Sequence, residues 1–204
     1  MKCTLIFAAF ALLVLINGAT VAKRVEFVGV TKEAGIHFKH HDGRSGHRYF
    51  IEPLGAGAAF LDYNKDGFQD IYFVNGADLP GMNSAEPPRN TLYRNDGDGS
   101  FTDVTETTAI GDTSYGMGCA VGDYDNDGFP DLYVTNFGAN ALYHNNGDGT
   151  FTDVTAQTGT GDTRWGTGCA FADYDNDGFL DLYVANYVKY TIESDKVCTL
   201  FSPE

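Results

Sequence analysis

The chain has 204 residues, 43% of them hydrophobic, which is enough to build the core of one or two domains. Its 13 basic and 28 acidic side chains give a formal net charge of -15. This excess of negative charge argues against a nucleic acid or an anionic membrane surface as a partner.

The N-terminus has the pattern of a secretory signal. Lys2 precedes an apolar run at residues 4–16, and small residues lead to a predicted cleavage site after Ala22. The apolar run is shorter than the ~18 residues expected of a membrane-spanning helix, and a short buried helix is the other interpretation. Residues 1–22 are therefore predicted to be a signal peptide. We expect the mature chain to be secreted, to the extracellular space or the periplasm, without a membrane span.

Two segments of the chain recur with a period of 50 residues. Residues 95–105 recur at 145–155, and residues 116–120 recur at 166–170. Each period contains four short stretches typical of strands, separated by turns rich in glycine and asparagine. Four strands in a repeat of this length predict an all-β fold, a propeller made of four-stranded antiparallel blades.

The period divides the mature chain into about two and a half blades. We predict a lone outer strand at residues 26–31, a first blade at 55–105, a second blade at 116–155 and the start of a third at 166–204. Glycines recur in the first strand of each blade, where neighbouring blades crowd near the propeller axis. A closed propeller has about four to eight blades, so this sequence is expected to be part of a larger propeller.

One nine-residue segment occurs three times, at residues 62–70 (loop 1), 123–131 (loop 2) and 173–181 (loop 3). Side chains with oxygen atoms occupy positions 1, 3, 5 and 9 of each copy, and glycine occupies position 6. This spacing suits Ca²⁺, which takes about six to eight oxygen ligands from a flexible loop. With the carbonyl group at position 7, the predicted ligands are Asp62, Asn64, Asp66, Phe68 and Asp70 in loop 1, Asp123, Asp125, Asp127, Phe129 and Asp131 in loop 2, and Asp173, Asp175, Asp177, Phe179 and Asp181 in loop 3.

Two other interpretations of the loops are weaker. A polar turn that only interrupts strands does not explain three copies with the same oxygen spacing. An EF-hand would need a glutamate at position 12, where the chain has Phe73, Val134 and Val184. We therefore expect up to three structural Ca²⁺ sites, of which loop 1 is the weakest because Asn64 replaces a carboxylate and Lys65 adds a cation.

Three connections are longer than the period requires. The first precedes loop 1, the second follows it and contains Pro80, and the third runs from Asn186 past Cys198. In a four-stranded antiparallel blade these insertions share one face (the insertion face), and the loops share the opposite face (the metal face). Because loops on a rigid scaffold commonly bind partners, we expect an unidentified protein or glycan to bind the insertion face.

Several other residues on this face were candidates for function. Leu54, Tyr115 and Trp165 occupy equivalent positions, where packing between blades is favoured over an exposed surface that stacks on a sugar or a peptide. A histidine-rich link has donors suited to zinc or copper, but it lacks a repeated spacing and is interpreted as a solvated loop. Its histidines are His37, His40, His41 and His47.

The cysteines and possible nucleophiles give no sign of catalysis. Cys119 and Cys169 occupy equivalent strand positions and are interpreted as buried thiols in preference to a mutual disulfide. Cys198 is the cysteine expected to lack an internal partner, since three remain after signal cleavage. The sequence shows no nucleophile in a recognisable catalytic setting and no glycine-rich phosphate loop, so we predict no catalytic residues.

Residues 168–184 closely resemble FG-GAP/VCBS repeats, the blades that also occur in integrin α-subunit propellers. The turns at 95–105 and 145–155, with the cysteine-bearing insertion after Asn186, are most similar to the cartilage acidic protein and ASPIC/UnbV branch. That resemblance implies a seven-bladed propeller with Ca²⁺ between the first two strands of each blade. It also implies that Cys198 pairs with a later cysteine.

The sequence thus predicts an exported, calcium-binding propeller module for protein or glycan binding, including cell adhesion. The resemblance favours matrix or surface binding over catalysis. The alternative is the propeller domain of a larger secreted enzyme that acts on polysaccharide or lipid.

Overall fold

The computed structural model describes residues 25–195. Within these residues, the boundary between two structural units lies between residues 30 and 31. The predicted signal peptide and Cys198 lie outside the described residues. The described part of the chain holds no helix with the length and apolar character of a membrane span.

The predicted outer strand at residues 26–31 is wrong. Residues 26–30 are exposed and have no regular secondary structure, and Thr31 begins a turn. A strand is stabilised by hydrogen bonds to a neighbouring strand. Without them, nothing offsets the conformational entropy that the segment would lose on becoming a strand.

The first blade is a four-stranded antiparallel sheet with its strands in chain order. Loop 1 joins the first two strands, and the predicted Asn-Asp-Gly-Asp-Gly turn joins the last two. The strands are β1 (Ala58–Leu61), β2 (Asp70–Phe73), β3 (Thr91–Asn95) and β4 (Phe101–Asp103). The predicted blade architecture is confirmed here.

The second blade repeats this topology, and the third contributes one hairpin to the described residues. A short 3-10 helix, Ile192–Ser194, follows within the third insertion. The strands are β5 (Tyr115–Gly122), β6 (Asp131–Phe137), β7 (Ala141–Asn145) and β8 (Phe151–Asp153) in the second blade, and β9 (Gly166–Ala172) and β10 (Asp181–Asn186) in the third.

A short helix, which the repeat pattern does not predict, follows the fourth strand of each complete blade. These are α1 (Thr105–Thr108) and α2 (Thr155–Thr158). In the first blade, Asp103 Oδ1 accepts hydrogen bonds from the amide and hydroxyl groups of Thr105 at 3.0 and 2.7 Å. The same hydroxyl oxygen accepts the amide of Leu92 at 2.9 Å. The Asp-Val-Thr segment therefore starts the helix and also fixes it to β3.

The main core contains side chains of both complete blades. Among its fully buried members are Tyr72 and Leu92 of the first blade and Leu132 and Val134 of the second. The first strands pack very closely, as predicted: a methyl group on Gly57 would lie 2.9 Å from the Gly118 Cα atom. Side chains larger than hydrogen do not fit at this contact between blades.

A second core lies on the insertion face. Residues from all three insertions pack together there around Trp165, which is 3% exposed, and Tyr115, which is 5% exposed. The insertions contribute Tyr49, Ile51, Leu54, Ala77, Leu79, Tyr190 and Ile192. The packing interpretation of Leu54, Tyr115 and Trp165 is confirmed, and an exposed stacking surface made by Tyr115 and Trp165 is wrong.

Candidate metal centre

Loops 1, 2 and 3 join the first two strands of the three blades, as predicted. In each loop the residue at position 4 and the glycine at position 6 lie in the left-handed region. At position 4 the φ angles are 58°, 60° and 62° in loops 1, 2 and 3, and at position 6 they are 87°, 93° and 92°. Asparagine tolerates this region better than most side chains and occupies position 4 in loops 2 and 3. Lys65 occupies it in loop 1, at a conformational cost.

Backbone amides hold each loop closed. The amide of the position 6 glycine donates to Oδ2 of the position 1 aspartate at 2.9 Å in loops 1 and 2 and at 3.1 Å in loop 3. The amide of the position 7 phenylalanine donates to Oδ1 of the position 5 aspartate at 2.9, 2.8 and 2.9 Å. Ligation by the carbonyl groups of Phe68, Phe129 and Phe179 stays a prediction.

The aspartate at position 9 connects the loop to the third strand in the two complete blades. Asp131 is fully buried, its Oδ1 atom accepts the Asn145 amide at 2.8 Å, and its Oδ2 atom accepts the Tyr124 amide at 3.1 Å. Asp70 has the equivalent bonds at 2.8 and 3.1 Å. Burial raises the pKa of both carboxyl groups to about 6, although the hydrogen bonds from these amides act to lower it.

Loops 2 and 3 each bring three of their own carboxylates together. The groups are Asp123, Asp125 and Asp131 in loop 2, and Asp173, Asp175 and Asp181 in loop 3, with one oxygen atom of each residue within 4.8 Å of the others. Loop 1 forms no such group among the described residues, and there the Asn64 amide nitrogen donates to Asp66 Oδ2 at 2.8 Å.

The chemistry of loop 2 suits a hard cation. Asp123 Oδ1 is buried and has no hydrogen-bond partner within residues 25–195. A buried acceptor is normally paired, and carboxylate oxygens are the ligands that Ca²⁺ prefers. Loop 2 can therefore hold a metal ion through its carboxylates.

The comparison with known families agrees with this repeat. Residues 62–134 and 123–184 each match the FG-GAP-like repeat, and together the two matches span more than half of the chain. The chain belongs to the FG-GAP-like repeat family. A comparison with curated proteins gave no match. Each FG-GAP-like match begins at the first aspartate of a loop and continues into the following blade.

His144 is a candidate ligand that the sequence analysis missed. Its Nδ1 atom lies 3.3 Å from Asp125 Oδ2 and 3.2 Å from Asp131 Oδ1. This nitrogen is buried without a hydrogen-bond partner in the described part of the chain, and His144 also groups with Asp125 and Asp127. The residue lies in β7, outside the nine-residue segment, and the equivalent position in the first FG-GAP-like blade is Arg94. Aligning the third strands of the blades would have revealed this difference.

Neighbouring loops contact one another along the metal face. Asn126 Nδ2 in loop 2 donates to the Gly178 carbonyl in loop 3 at 2.8 Å. Lys65 Nζ in loop 1 lies 4.3 Å from the centre of the Phe129 ring in loop 2. The position 4 side chain of one FG-GAP-like loop therefore reaches the next loop.

The loops and the Gly-Asp-Gly turns at residues 97–99 and 147–149 share one face. A methyl group on Gly97 would lie 2.8 Å from the Phe68 ring, and one on Gly147 would lie 2.8 Å from the Phe129 ring. The phenylalanine at position 7 therefore packs its ring against the turn between the third and fourth strands. This contact fixes the metal face of each complete blade.

The other candidate side chains lie away from the metal centre. The possible metal-binding groups within residues 25–195 include none of the four histidines in the first insertion. His41 instead pairs with Asp78 of the second insertion, with Nε2 2.9 Å from Oδ1.

Cys119 and Cys169 are free, half-buried thiols, which confirms that they do not form a mutual disulfide. Burial raises the pKa of Cys119 to about 11 and that of Cys169 to about 12. Because the thiolate is the nucleophile, neither group is activated for catalysis at neutral pH.

Proposed function

We propose that this chain is part of an exported, calcium-stabilised propeller that binds a protein or glycan in adhesion. We assign it, as part of this proposal, to the cartilage acidic protein and ASPIC/UnbV branch of FG-GAP-like proteins. The observation that carries the proposal is the carboxylate group of loop 2, in which a buried oxygen of Asp123 has no hydrogen-bond partner within residues 25–195.

Calcium would have a structural role in this protein. Asp123, Asp125, Asp127 and Asp131 would hold it in loop 2, and the bound charge would offset the repulsion among their carboxylates. Asp131 also accepts the amide of Asn145, so an ordered loop positions the start of the turn between β7 and β8. Metal binding would therefore add to the folding free energy of the blade.

The insertion face is the proposed partner surface. Side chains of three insertions form one core there, so loops from different blades are held in a fixed arrangement. A rigid scaffold with variable connections on one face is a common arrangement for binding. FG-GAP-like propeller modules are typically non-catalytic, and the raised pKa values of the two described thiols agree with a binding role.

The test is a calorimetric Ca²⁺ titration with thermal unfolding measured in chelator and in excess Ca²⁺. Asp125→Asn removes one loop 2 carboxylate and should weaken one site at least about tenfold, because ligand charge sets the affinity of such sites. Glu86→Gln removes the same charge from an exposed position in the second insertion and should leave the titration unchanged. Equal melting temperatures with chelator and with Ca²⁺ would refute the structural role of calcium.

A further inference from the structure

A cavity of about 520 Å³ opens on the insertion face beside the third blade. This volume lies within the range of ~300–1,000 Å³ that is usual for small-ligand sites. We call it the aromatic cavity; its lining includes Phe137, Trp165, Asn186, Tyr187, Lys189 and Tyr190. It is formed by the end of β6, the segment before β9 and the third insertion.

Trp165, which lines the aromatic cavity, carries a hydrogen-bond donor without a partner in the described part of the chain. Trp165 is 3% exposed, and its indole Nε1 group has no hydrogen-bond partner among the described residues. The backbone of Trp165 is fixed on both sides, by a bridge to Phe137 and by the Tyr187 amide, which donates to its carbonyl at 2.9 Å. An unpaired buried donor costs about 1–3 kcal/mol, so a ligand that accepts this N–H gains free energy on binding.

An unused acceptor lines the same cavity. Asn186 Nδ2 donates to Asp162 Oδ2 at 3.0 Å, which orients the side-chain amide. Its Oδ1 atom is buried and finds no partner in residues 25–195. A ligand would therefore complement Trp165 and Asn186 if it offers both an acceptor and a donor of hydrogen bonds. A hydroxyl group has this property.

Accessible aromatic rings lie beside this polar pair. Tyr187 is 53% exposed and Phe50 is 49% exposed, and their ring planes are inclined by 12° with centres 6.5 Å apart. Beneath them, Trp165 and Phe137 pack edge to face at 5.2 Å and form a rigid base. The C–H face of a sugar ring can lie on an exposed tyrosine while its hydroxyl groups make polar contacts.

Other ligand classes fit the aromatic cavity less well. A proline-rich peptide also docks on aromatic rings, but its prolyl carbonyls only accept hydrogen bonds and would leave Asn186 Oδ1 unpaired. A quaternary ammonium ion would satisfy neither polar group. It would also meet the cations Arg164 and Lys189, and none of the described lining residues is acidic.

We propose that the aromatic cavity binds a pyranose residue of a glycan. Sugar hydroxyl groups accept the hydrogen bond of Trp165 Nε1 and donate one to Asn186 Oδ1, and the sugar ring lies against Tyr187. This inference rests on the proposed binding function and names its ligand class. Arg164 is engaged by Asp162, with Nη2 2.6 Å from Oδ2, so Lys189 is the lining cation that could meet a sugar carboxylate.

The test uses the full chain in Ca²⁺ on an array of neutral and uronate-bearing glycans. Binding to the array hit is then measured by calorimetry and by fluorescence, since Trp165 is the chain's single tryptophan and reports directly on the cavity. Trp165→Phe keeps the aromatic packing but removes the N–H donor, and Tyr187→Ala removes the stacking ring. Each should weaken binding about tenfold, the effect of one hydrogen bond or one stacking contact.

Tyr174→Ala is the matched control, because it removes a tyrosine that is 87% exposed in loop 3 on the metal face. It should leave glycan affinity unchanged, and thermal melts will show that all three variants fold. A preference for uronate-bearing glycans that Lys189→Gln abolishes would assign the carboxylate contact to that lysine. A preference for neutral glycans would assign recognition to the hydroxyl groups alone.

The absence of any array hit, an affinity unchanged in Trp165→Phe and Tyr187→Ala, or tighter binding of a proline-rich peptide would overturn the inference. Those outcomes are separable from failure of the proposed function. If only the aromatic cavity is misassigned, the wild-type melting temperature still depends on Ca²⁺. If the proposed function is wrong, that dependence disappears.

Discussion

Replacing Gly57 by alanine should destabilise the contact between the first two blades. The added methyl group would lie 2.9 Å from the Gly118 Cα atom and 3.3 Å from Val74 Cγ2. Val74 is fully buried, and Gly118 belongs to the first strand of the next blade, so the backbone of one blade has to move. Gly57 does not have a positive φ, and the effect is therefore steric.

Overpacking of this kind costs about 1–3 kcal/mol, and the lower chain entropy of alanine recovers about 0.5–1 kcal/mol. We expect Gly57→Ala to lower the free energy of unfolding by about 1–2 kcal/mol. For a domain of this size, that corresponds to a fall of roughly 2–8 °C in melting temperature.

Gly168→Ala provides the matched control. Gly168 occupies the equivalent position in β9, but a methyl group there would meet no atom within 4 Å. Its free energy of unfolding should stay the same or rise slightly. Both variants are to be unfolded in urea at saturating Ca²⁺ and followed by far-UV circular dichroism. If Gly57→Ala is no less stable than Gly168→Ala, the proposed close contact between blades is refuted.

Three further predictions concern the metal face. Because burial raises the pKa of Asp70 and Asp131 to about 6, Ca²⁺ must displace protons in acid. Calorimetry should find the proposed sites in loops 1 and 2 about tenfold weaker at pH 5 than at pH 7. In the calcium-free protein, acid should have the opposite effect and stabilise the fold. Both carboxyl groups bind protons more readily in the folded state than in the unfolded state. Their contribution to stability therefore increases as pH falls from about 7 to about 4, and it is lost as pH rises through about 6. An apo stability that falls over that range on acidification would contradict this. Lys65→Asn removes a cation from loop 1, so Ca²⁺ affinity there should rise. It also removes about 1 kcal/mol of left-handed backbone strain and a cation–π contact with Phe129 of about 0.5–1 kcal/mol. Because these two effects nearly cancel, the melting temperature of the calcium-free protein should hardly change. An unchanged titration at loop 1 would argue against Lys65 as the cause of its weakness.

The sequence was sufficient to predict those structural features that depend on a repeated local pattern of residues. The hairpins around loops 1, 2 and 3 follow from the glycine at position 6 and from strand-forming residues on both sides. The same period predicted the close packing at Gly57 and Gly118, because glycine recurs where successive blades meet. These features depend on neighbours in sequence or on the blade-to-blade repeat, and both can be read from one chain.

The sequence was insufficient where distant segments meet. His144 lies beyond loop 2, and only the register of β7 against β6 brings it next to Asp125. The outer strand at 26–31 was predicted from the repeat, but a repeated sequence does not provide a strand to pair with. Helix α1 has four residues, too few for a helical period, and depends on the contact between Thr105 and Leu92. The sequence favoured packing for Trp165, but it did not predict the core that surrounds this residue, because that core combines side chains from three separate insertions.

The hydrogen bonds between successive blades determine the order in which parts of the protein should unfold. Asn145 Nδ2 donates to the carbonyl of Tyr63, 82 positions earlier, so the second blade is bonded to the first as well as to the third. In the third blade Asp181 is exposed, whereas its equivalents Asp70 and Asp131 are buried. Nearest-neighbour coupling of this kind makes unfolding sequential. Amide hydrogens of β9 and β10 should exchange with solvent first, and those of the second blade should be among the last.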